Sequence, residues 1–154
     1  ERLVGCSREE YLKSLDDFRL SKAYSDMKPD PEILDWFEKR GDCARHVAIS
    51  SVSARAAHVS ACWVIKNFGK WIRSFNFIPS PRADEHIFMQ DRTKGDYLKW
   101  LNRVDVLVED SGQNILDAKA LGIKGILIGR PWNKSTLSVG DALKEIDAII
   151  RKGS

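Results

Sequence analysis

Residues 104–114 read VDVLVEDSGQN, a largely apolar run that passes directly into two carboxylates and then into the start of a helix. The run has the length and composition of a buried strand, and Ser111-Gly112 is a turn signal at its end. Other apolar runs alternate with helical patterns along the chain, an order typical of a parallel sheet flanked by helices. In such sheets the chemistry collects at the carboxyl ends of the strands, so Glu109 and Asp110 are the first candidates for a functional site.

Capping and turn residues set the predicted elements. Ser7 and Glu10 form a capping box that opens one helix, and Asp30-Pro31 opens another. The predicted helices span about 8–19, 31–40, 54–68, 94–102, 114–121 and 137–150. The predicted strands span 46–49, 72–78, 104–108 and 124–128, with a short extra strand considered at 86–89. Together these elements predict an α/β fold.

The composition excludes several classes of protein. The 154 residues suit one domain, and the cysteines Cys6, Cys43 and Cys62 lack the spacing of a disulfide framework or a structural zinc site. No apolar run approaches the roughly 20 residues of a membrane span. The net charge of +3, from 25 basic and 22 acidic side chains, is too small to indicate nucleic acid. We therefore expect a cytoplasmic protein with neither a membrane nor a nucleic acid as its partner.

Carboxylates at a strand end suit Mg²⁺, which prefers oxygen ligands and keeps several waters. Glu109 and Asp110 are therefore candidate metal ligands. Asn114, four residues after Asp110, is expected either to orient that carboxylate or to cap the helix. The simpler alternative is that Asp110 or Ser111 only caps the helix that follows.

Two further positions are candidates for binding an anion. Ser50 and Ser51 follow the predicted strand 46–49, where a hydroxyl can donate to a phosphate oxygen together with nearby N–H groups. Lys94 begins a predicted helix, where the helix dipole disfavours a cation, so a bound anion would explain its presence there. The alternatives are a turn-forming serine and a solvated surface lysine.

Taken together, these residues resemble the haloacid dehalogenase (HAD) superfamily of phosphohydrolases. The matching parts are Val47-Ala48-Ile49-Ser50 for the second motif, Lys94 for the third, 106–114 for the fourth, and the later Pro131-Trp132-Asn133. The resemblance covers residues 44–133, and the fourth motif extended to Pro-Trp-Asn is its most specific part. It implies a Rossmann-like three-layer α/β/α parallel sheet over residues 46–154, preceded by a helical cap-like or linker segment over 1–45.

The resemblance also implies an activity, that of a Mg²⁺-dependent phosphatase, such as a nucleotidase, acting on a small phosphomonoester. Ser50, Ser51 and Lys94 would bind the phosphoryl group. Asp110 and Glu109 would hold Mg²⁺, with Asn114 and Ser111 supporting them. Such chemistry needs mainly positioning and neutralisation of oxygen charge, which a hydroxyl, an ammonium and a metal supply.

The Asp-x-Asp motif that carries the HAD nucleophile on the central first strand is missing from the 154 residues. Removing a central strand leaves unpaired backbone groups, each costing about 1–3 kcal/mol if buried. Three explanations stay open. A missing N-terminal segment or another chain supplies the strand; the N-terminal residues fill its place; or the chain is another Rossmann-like module. Cys6 as a substitute nucleophile has no support from its neighbours, and Lys28-Pro29 precedes the serine motif, the wrong order for the third motif.

Two other functions are also open. A catalytically inactive HAD-like module with a binding, structural or regulatory role would explain the absent nucleophile. Bases and an aromatic side chain also cluster as on a nucleic-acid surface, although a solvated helix end and a core tryptophan explain them more simply. The residues of this cluster are Lys66, Lys70, Trp71 and Arg73.

The sequence also leads to two packing predictions: Trp132 lies in the core, and Cys62 is buried.

Overall fold

The computed structural model describes residues 5–88 and 90–153, which form two compact units. Unit 1 takes the described residues up to Pro29 and those from His46 to Gln90. Unit 2 takes Asp30–Arg45 and the described residues from Asp91 onward. Each unit contains one two-stranded parallel sheet with helices packed against it, so the predicted α/β class is confirmed.

The elements alternate along most of the chain, as predicted. The helices are α1 (Arg8–Arg19), α2 (Lys22–Ser25), α3 (Pro31–Arg40), α4 (Ala54–Phe68), α5 (Lys94–Leu101), α6 (Gly112–Ala120) and α7 (Val139–Gly153). The strands are β1 (His46–Val52), β2 (Ile72–Pro79), β3 (Val106–Glu109) and β4 (Lys124–Leu127). A 3₁₀ turn at Gly41–Cys43 follows α3, and neither this turn nor α2 was predicted. None of the helices described is long and apolar enough to cross a membrane.

Unit 1 is built on the pairing of β1 with β2. The register runs from Ala48 opposite Phe75 to Val52 opposite Pro79, after an irregularity between His46 and Ala48. Helix α4 packs on β2, and α1, which begins at the predicted capping box, packs on α4. The most buried side chains of this unit include Val52 and Ala56, at the junction between β1 and α4.

Unit 2 is built on the pairing of β3 with β4. Helix α6 packs on both strands, α5 packs on α6, and α3 packs on α7. The contact between α6 and β4 is close: a Cβ added at Gly125 would lie 2.7 Å from Cγ2 of Ile115. Leu98 and Ile126 are each 1% exposed and mark the centre of this core.

Several local predictions were wrong. Strand β1 extends to Val52, so Ser50 and Ser51 lie within the strand and not in the polar loop that was expected after it. The apolar residues 47–49 of this strand are only half-buried. Residues 86–88 form no strand, and Met89, the end of that prediction, lies outside the described residues.

The two packing predictions also failed. Cys62 is exposed, because it lies on the outer side of α4. Trp132 is 61% exposed and lies in a turn after β4.

The predicted strands do not join into one sheet. In the part of the chain that is described, β1 pairs with β2 alone and β3 pairs with β4 alone. Residues 5–45 form helices and turns, and residues 1–4 lie outside the described range. The architecture is therefore α/β with two small parallel sheets.

Candidate functional site

An ion pair between α5 and the end of β3 forms the centre of the candidate site in unit 2. Nζ of Lys94 donates to Oε1 of Glu109 over 2.9 Å. The two side chains are 10% and 12% exposed, so both charges are largely removed from water. A lysine at the first turn of a helix faces an unfavourable helix dipole, and the glutamate offsets it. Lys94 is therefore not the solvated surface lysine of the simpler reading.

The helix start that carries Lys94 is fixed by a capping box. The Thr93 hydroxyl accepts from the Asp96 amide over 3.1 Å, and the Asp96 carboxylate accepts from the Thr93 amide over 2.9 Å. The Thr93 hydroxyl, together with the backbone amides of Arg92 and Thr93, lowers the pKa of the Asp96 carboxyl below its ordinary value. The first turn of α5 is thereby held in place, with Lys94 pointing its ammonium at β3.

Asn114 and Ser111 have separate roles at this strand end: Asn114 binds the Glu109 carboxylate, and Ser111 caps α6. The side-chain amide of Asn114 donates to the same Oε1 of Glu109 that accepts from Lys94. The Ser111 hydroxyl accepts from the backbone N–H of Asn114 over 3.5 Å, and Ser111 is the N-cap of α6. Asn114 therefore orients Glu109, whereas the prediction had it orient Asp110 or cap the helix.

Asp110 differs from its neighbour Glu109 in having a carboxylate without a protein partner. The side chain is half-buried and makes no hydrogen bond or ion pair with any other residue that the structure describes. Mg²⁺ is commonly held by one or two carboxylates, with waters and substrate phosphates completing the shell. Within the described residues, no group of three or more His, Cys, Asp or Glu could hold a metal ion. The donors here thus fit a site with Asp110 as its protein carboxylate, and they do not fit an all-protein cage.

The backbone of Asp110 is tied to the turn that follows β4. The Asn133 side-chain amide donates to the carbonyl oxygens of Asp110 and Ile128, over 2.8 and 2.9 Å. Its Oδ1 accepts from the amides of Arg130 and Ser135. Gly129 permits the chain to fold this tightly, since a Cβ there would lie 2.7 Å from the Ser135 carbonyl oxygen.

The serine candidates lie in unit 1, whereas the residues above belong to unit 2. Ser50 is half-buried and sits opposite Phe77 in the β1–β2 ladder, while Ser51 is exposed. Neither hydroxyl is hydrogen-bonded to another residue within the described ranges. Both hydroxyls therefore keep their donors available for a ligand.

A buried polar cluster in unit 1 was not predicted. Arg82 binds both carboxylate oxygens of Asp16, each over 2.7 Å, and the Ser53 hydroxyl donates to the same carboxylate over 2.9 Å. Burial alone would raise the pKa of Asp16, but the hydrogen bonds from Arg82 and Ser53 outweigh it and hold the pKa below its ordinary value. Asp16 follows Leu12 by four residues and so shares the apolar face of α1, which was the one available signal.

A second contact ties the segment after β2 to the start of α4. The Glu85 carboxylate accepts from the amides of Ala54 and Arg55, over 3.4 and 3.3 Å, and pairs with the Arg55 guanidinium. Ser53 occupies the N-cap position of α4, but its hydroxyl donates to Asp16 and accepts no hydrogen bond from the amides of the first turn. Burial would raise the pKa of Glu85, yet the hydrogen bonds from Arg55 and Ala54 hold it below its ordinary value.

The basic cluster considered for nucleic acid has a simple local structure. Lys66, Lys70 and Arg73 are exposed, and the Lys70 ammonium lies 5.0 Å from the centroid of the Trp71 ring. Trp71 is half-buried, so it offers at most part of its surface to a base. The contact is an ordinary cation–π pair between chain neighbours.

Comparison with known proteins found no relative from which a function could be inferred. The chain matches no protein-family model, no curated protein and no solved structure. The HAD resemblance therefore rests on the motif residues themselves, and their local geometry is what can support or weaken it.

Proposed function

We propose that the protein is a Mg²⁺-dependent phosphohydrolase of the HAD type that acts on a small phosphomonoester such as a nucleotide. The observation that carries the proposal is the end of β3, where the ammonium of Lys94 is buried against Glu109 and the next residue, Asp110, keeps a free carboxylate. Burying a lysine is costly, and a site that must neutralise phosphoryl oxygens is a physical reason to do so.

Each residue has a distinct role in this proposal. Lys94 neutralises charge on the phosphoryl group, and Glu109, oriented by Asn114, holds the ammonium in place. Asp110 is the favoured metal ligand, because the Glu109 carboxylate is already engaged by two donors. Bound Mg²⁺ would supply positive charge to the phosphoryl oxygens. Ser50 and Ser51, on β1 of unit 1, remain predicted phosphate-binding residues.

The nucleophilic aspartate is proposed to lie outside the 154 residues, on a first strand from another part of the gene product or another chain. The support is that each described sheet contains two strands only and that residues 47–49 of β1 remain half-buried. An additional strand would complete the three-layer α/β/α fold of this proposal. It would also cover apolar side chains that two-stranded sheets leave in contact with water.

A catalytically inactive module is the second candidate. Two observations favour it: no Asp-x-Asp motif follows an apolar strand in the 154 residues, and a metal would find only one uncommitted carboxylate at the end of β3. Such a module would use the same buried charges to hold its structure or bind a partner.

The test is phosphatase activity of the complete gene product toward a panel of phosphomonoesters that includes nucleoside monophosphates. With Mg²⁺ present, Asp110→Asn is expected to lower kcat by about a hundredfold or more. Asp105→Asn is the matched control, because it removes an exposed carboxylate just before the same strand. Turnover that survives in D110N would overturn the phosphatase proposal. A folded wild-type protein with no activity on any member of the panel would favour the inactive module.

A further inference from the structure

The side chain of Asn133 uses its full hydrogen-bonding capacity. An asparagine amide has two donors on nitrogen and two acceptor sites on oxygen. Nδ2 donates to the carbonyls of Asp110 and Ile128, over 2.8 and 2.9 Å. Oδ1 accepts from the amides of Arg130 and Ser135, over 3.2 and 3.0 Å. The two ends of the amide therefore have different roles. The oxygen binds backbone amides within the turn, and the nitrogen binds carbonyls at the ends of the two strands.

The Asn133 Nδ2 group continues the hydrogen bonding between the two strands beyond the last backbone pair. The last main-chain bond of this pairing runs from the amide of Ile128, the residue after β4, to the carbonyl of Glu109, the last residue of β3, over 2.9 Å. One step further along, the Asn133 Nδ2 group bridges the carbonyls of Ile128 and Asp110. A side-chain amide thus supplies the next connection between the strands, at the residue that bears the free carboxylate.

We propose that Asn133 is a positioning residue for Asp110, one that fixes the Asp110 peptide so that its carboxylate is held for a divalent cation. The inference rests on the proposed function of that carboxylate. A ligand set with few protein donors depends strongly on the orientation of each donor, and groups that orient metal ligands typically affect metal affinity by 10–100-fold. Asn133 is the residue outside β3 and α6 whose side chain holds the Asp110 backbone.

The competing explanation is that Asn133 only stabilises its turn. Asn133→Asp distinguishes the positioning role from stabilisation of the turn. An aspartate keeps the acceptors for Arg130 and Ser135 and loses both donors. Asn133→Ala removes both ends. Ser135→Ala is the matched control: it deletes the bonds of the Ser135 hydroxyl to Leu127 and Leu137 in the same turn and leaves Asp110 untouched.

The experiment measures Mn²⁺ affinity, by the EPR signal of the free ion, for the complete gene product and these variants, together with Asp110→Asn. We expect N133D and N133A to weaken Mn²⁺ binding by about tenfold or more, with S135A close to the wild type. N133D adds a negative charge, which by itself would attract the cation, so a loss of affinity cannot come from charge. Urea unfolding of each variant identifies any loss that comes from a damaged fold.

A second readout does not involve metal. In the metal-free protein, the backbone NMR shifts of Ser111 and Gly112 are expected to move in N133D and to stay unchanged in S135A. Unmoved shifts in N133D would overturn the inference, as would equal losses of Mn²⁺ affinity in N133D and S135A. Wild-type affinity in N133D, with binding abolished in D110N, would overturn the inference alone and leave the proposed function standing. Absence of Mn²⁺ binding in the wild type, with no effect of D110N, would overturn both.

Discussion

Lys94 and Glu109 form an ion pair of 2.9 Å in which each side chain keeps only about a tenth of its surface in contact with water. Charges removed from water are costly, and a buried pair is stabilising only while both partners are present. The Asn114 amide adds a further donor to the same carboxylate oxygen. Removing the charge of either Lys94 or Glu109 would therefore leave the other charge buried and unpaired at the end of β3.

Glu109→Gln is expected to lower the free energy of unfolding by about 3 kcal/mol at neutral pH, because it leaves the Lys94 ammonium buried without a counter-charge. Asp35→Asn is the control: it breaks the Asp35–Lys39 pair, whose side chains are 58% and 68% exposed, and should cause no measurable change. Urea unfolding of both variants provides the comparison. Equal stability of the two variants would contradict the role given to the buried pair.

Acid is expected to weaken the Asp16–Arg82–Ser53 cluster of unit 1. The pKa of Asp16 is lower in the folded protein than in the unfolded chain, so its carboxylate stabilises the fold fully above the unfolded pKa of about 4. That contribution is lost as the pH falls through the folded pKa. Asp16→Asn should therefore be less stable than the wild type at pH 7, with a difference that shrinks as the pH falls below about 4. A difference that stays constant in urea unfolding between pH 7 and pH 3 would refute this.

The start of α4 is expected to depend on Glu85 and not on Ser53. Glu85→Ala removes the acceptor of the Ala54 and Arg55 amides and should cost about 1 kcal/mol, as the loss of a helix cap does. Amide exchange at Ala54 and Arg55 should accelerate in E85A. Ser53→Ala deletes a hydroxyl whose one hydrogen bond among the described residues goes to Asp16, so exchange at those two amides should not change. Faster exchange in S53A than in E85A would show that the cap is assigned to the wrong residue.

Two tryptophans of unit 2 are expected to differ sharply when replaced by alanine. Trp36 is 8% exposed and donates from its indole to Asp147 over 3.1 Å, so Trp36→Ala should cost about 3–5 kcal/mol. Trp132 is 61% exposed, and Trp132→Ala should change the unfolding free energy by less than about 0.5 kcal/mol. Thermal or urea unfolding distinguishes them. A large loss in W132A would return Trp132 to the core, where the sequence had placed it.

The predictions that succeeded depend on neighbours in the chain. The capping box at Ser7 and Glu10 and the Asp30-Pro31 helix start are local signals, with three residues or fewer between partners, and both were found in the structure. The alternation of strands and helices is equally local, because each element shows its own period. These signals were sufficient for the α/β class and for most element positions.

The contacts that the sequence did not reveal join partners far apart in sequence. Ser53 and Asp16 are 37 residues apart, and Asn133 and Asp110 are 23 apart. No periodicity connects such pairs, because they meet only after the elements between them have packed. Ser50-Ser51 looked like a loop because both residues are polar, yet their backbones continue the ladder opposite Phe77 and Ile78. Candidate site residues were thus recognisable by type, but their partners were not.

The two close glycines of unit 2 set different limits on mutation. A methyl group at Gly125 would meet the side chain of Ile115, which can rotate or be shortened, so Gly125→Ala should be tolerated at reduced stability and improved by a smaller residue at 115. A methyl group at Gly129 would meet the main-chain oxygen of Ser135, which no second substitution can remove. In a saturation library selected for folded protein, position 125 should therefore retain a few small residues, whereas position 129 should retain glycine alone. Recovery of alanine at 129 as often as at 125 would contradict this difference, which traces back to whether a side chain or the backbone occupies the space.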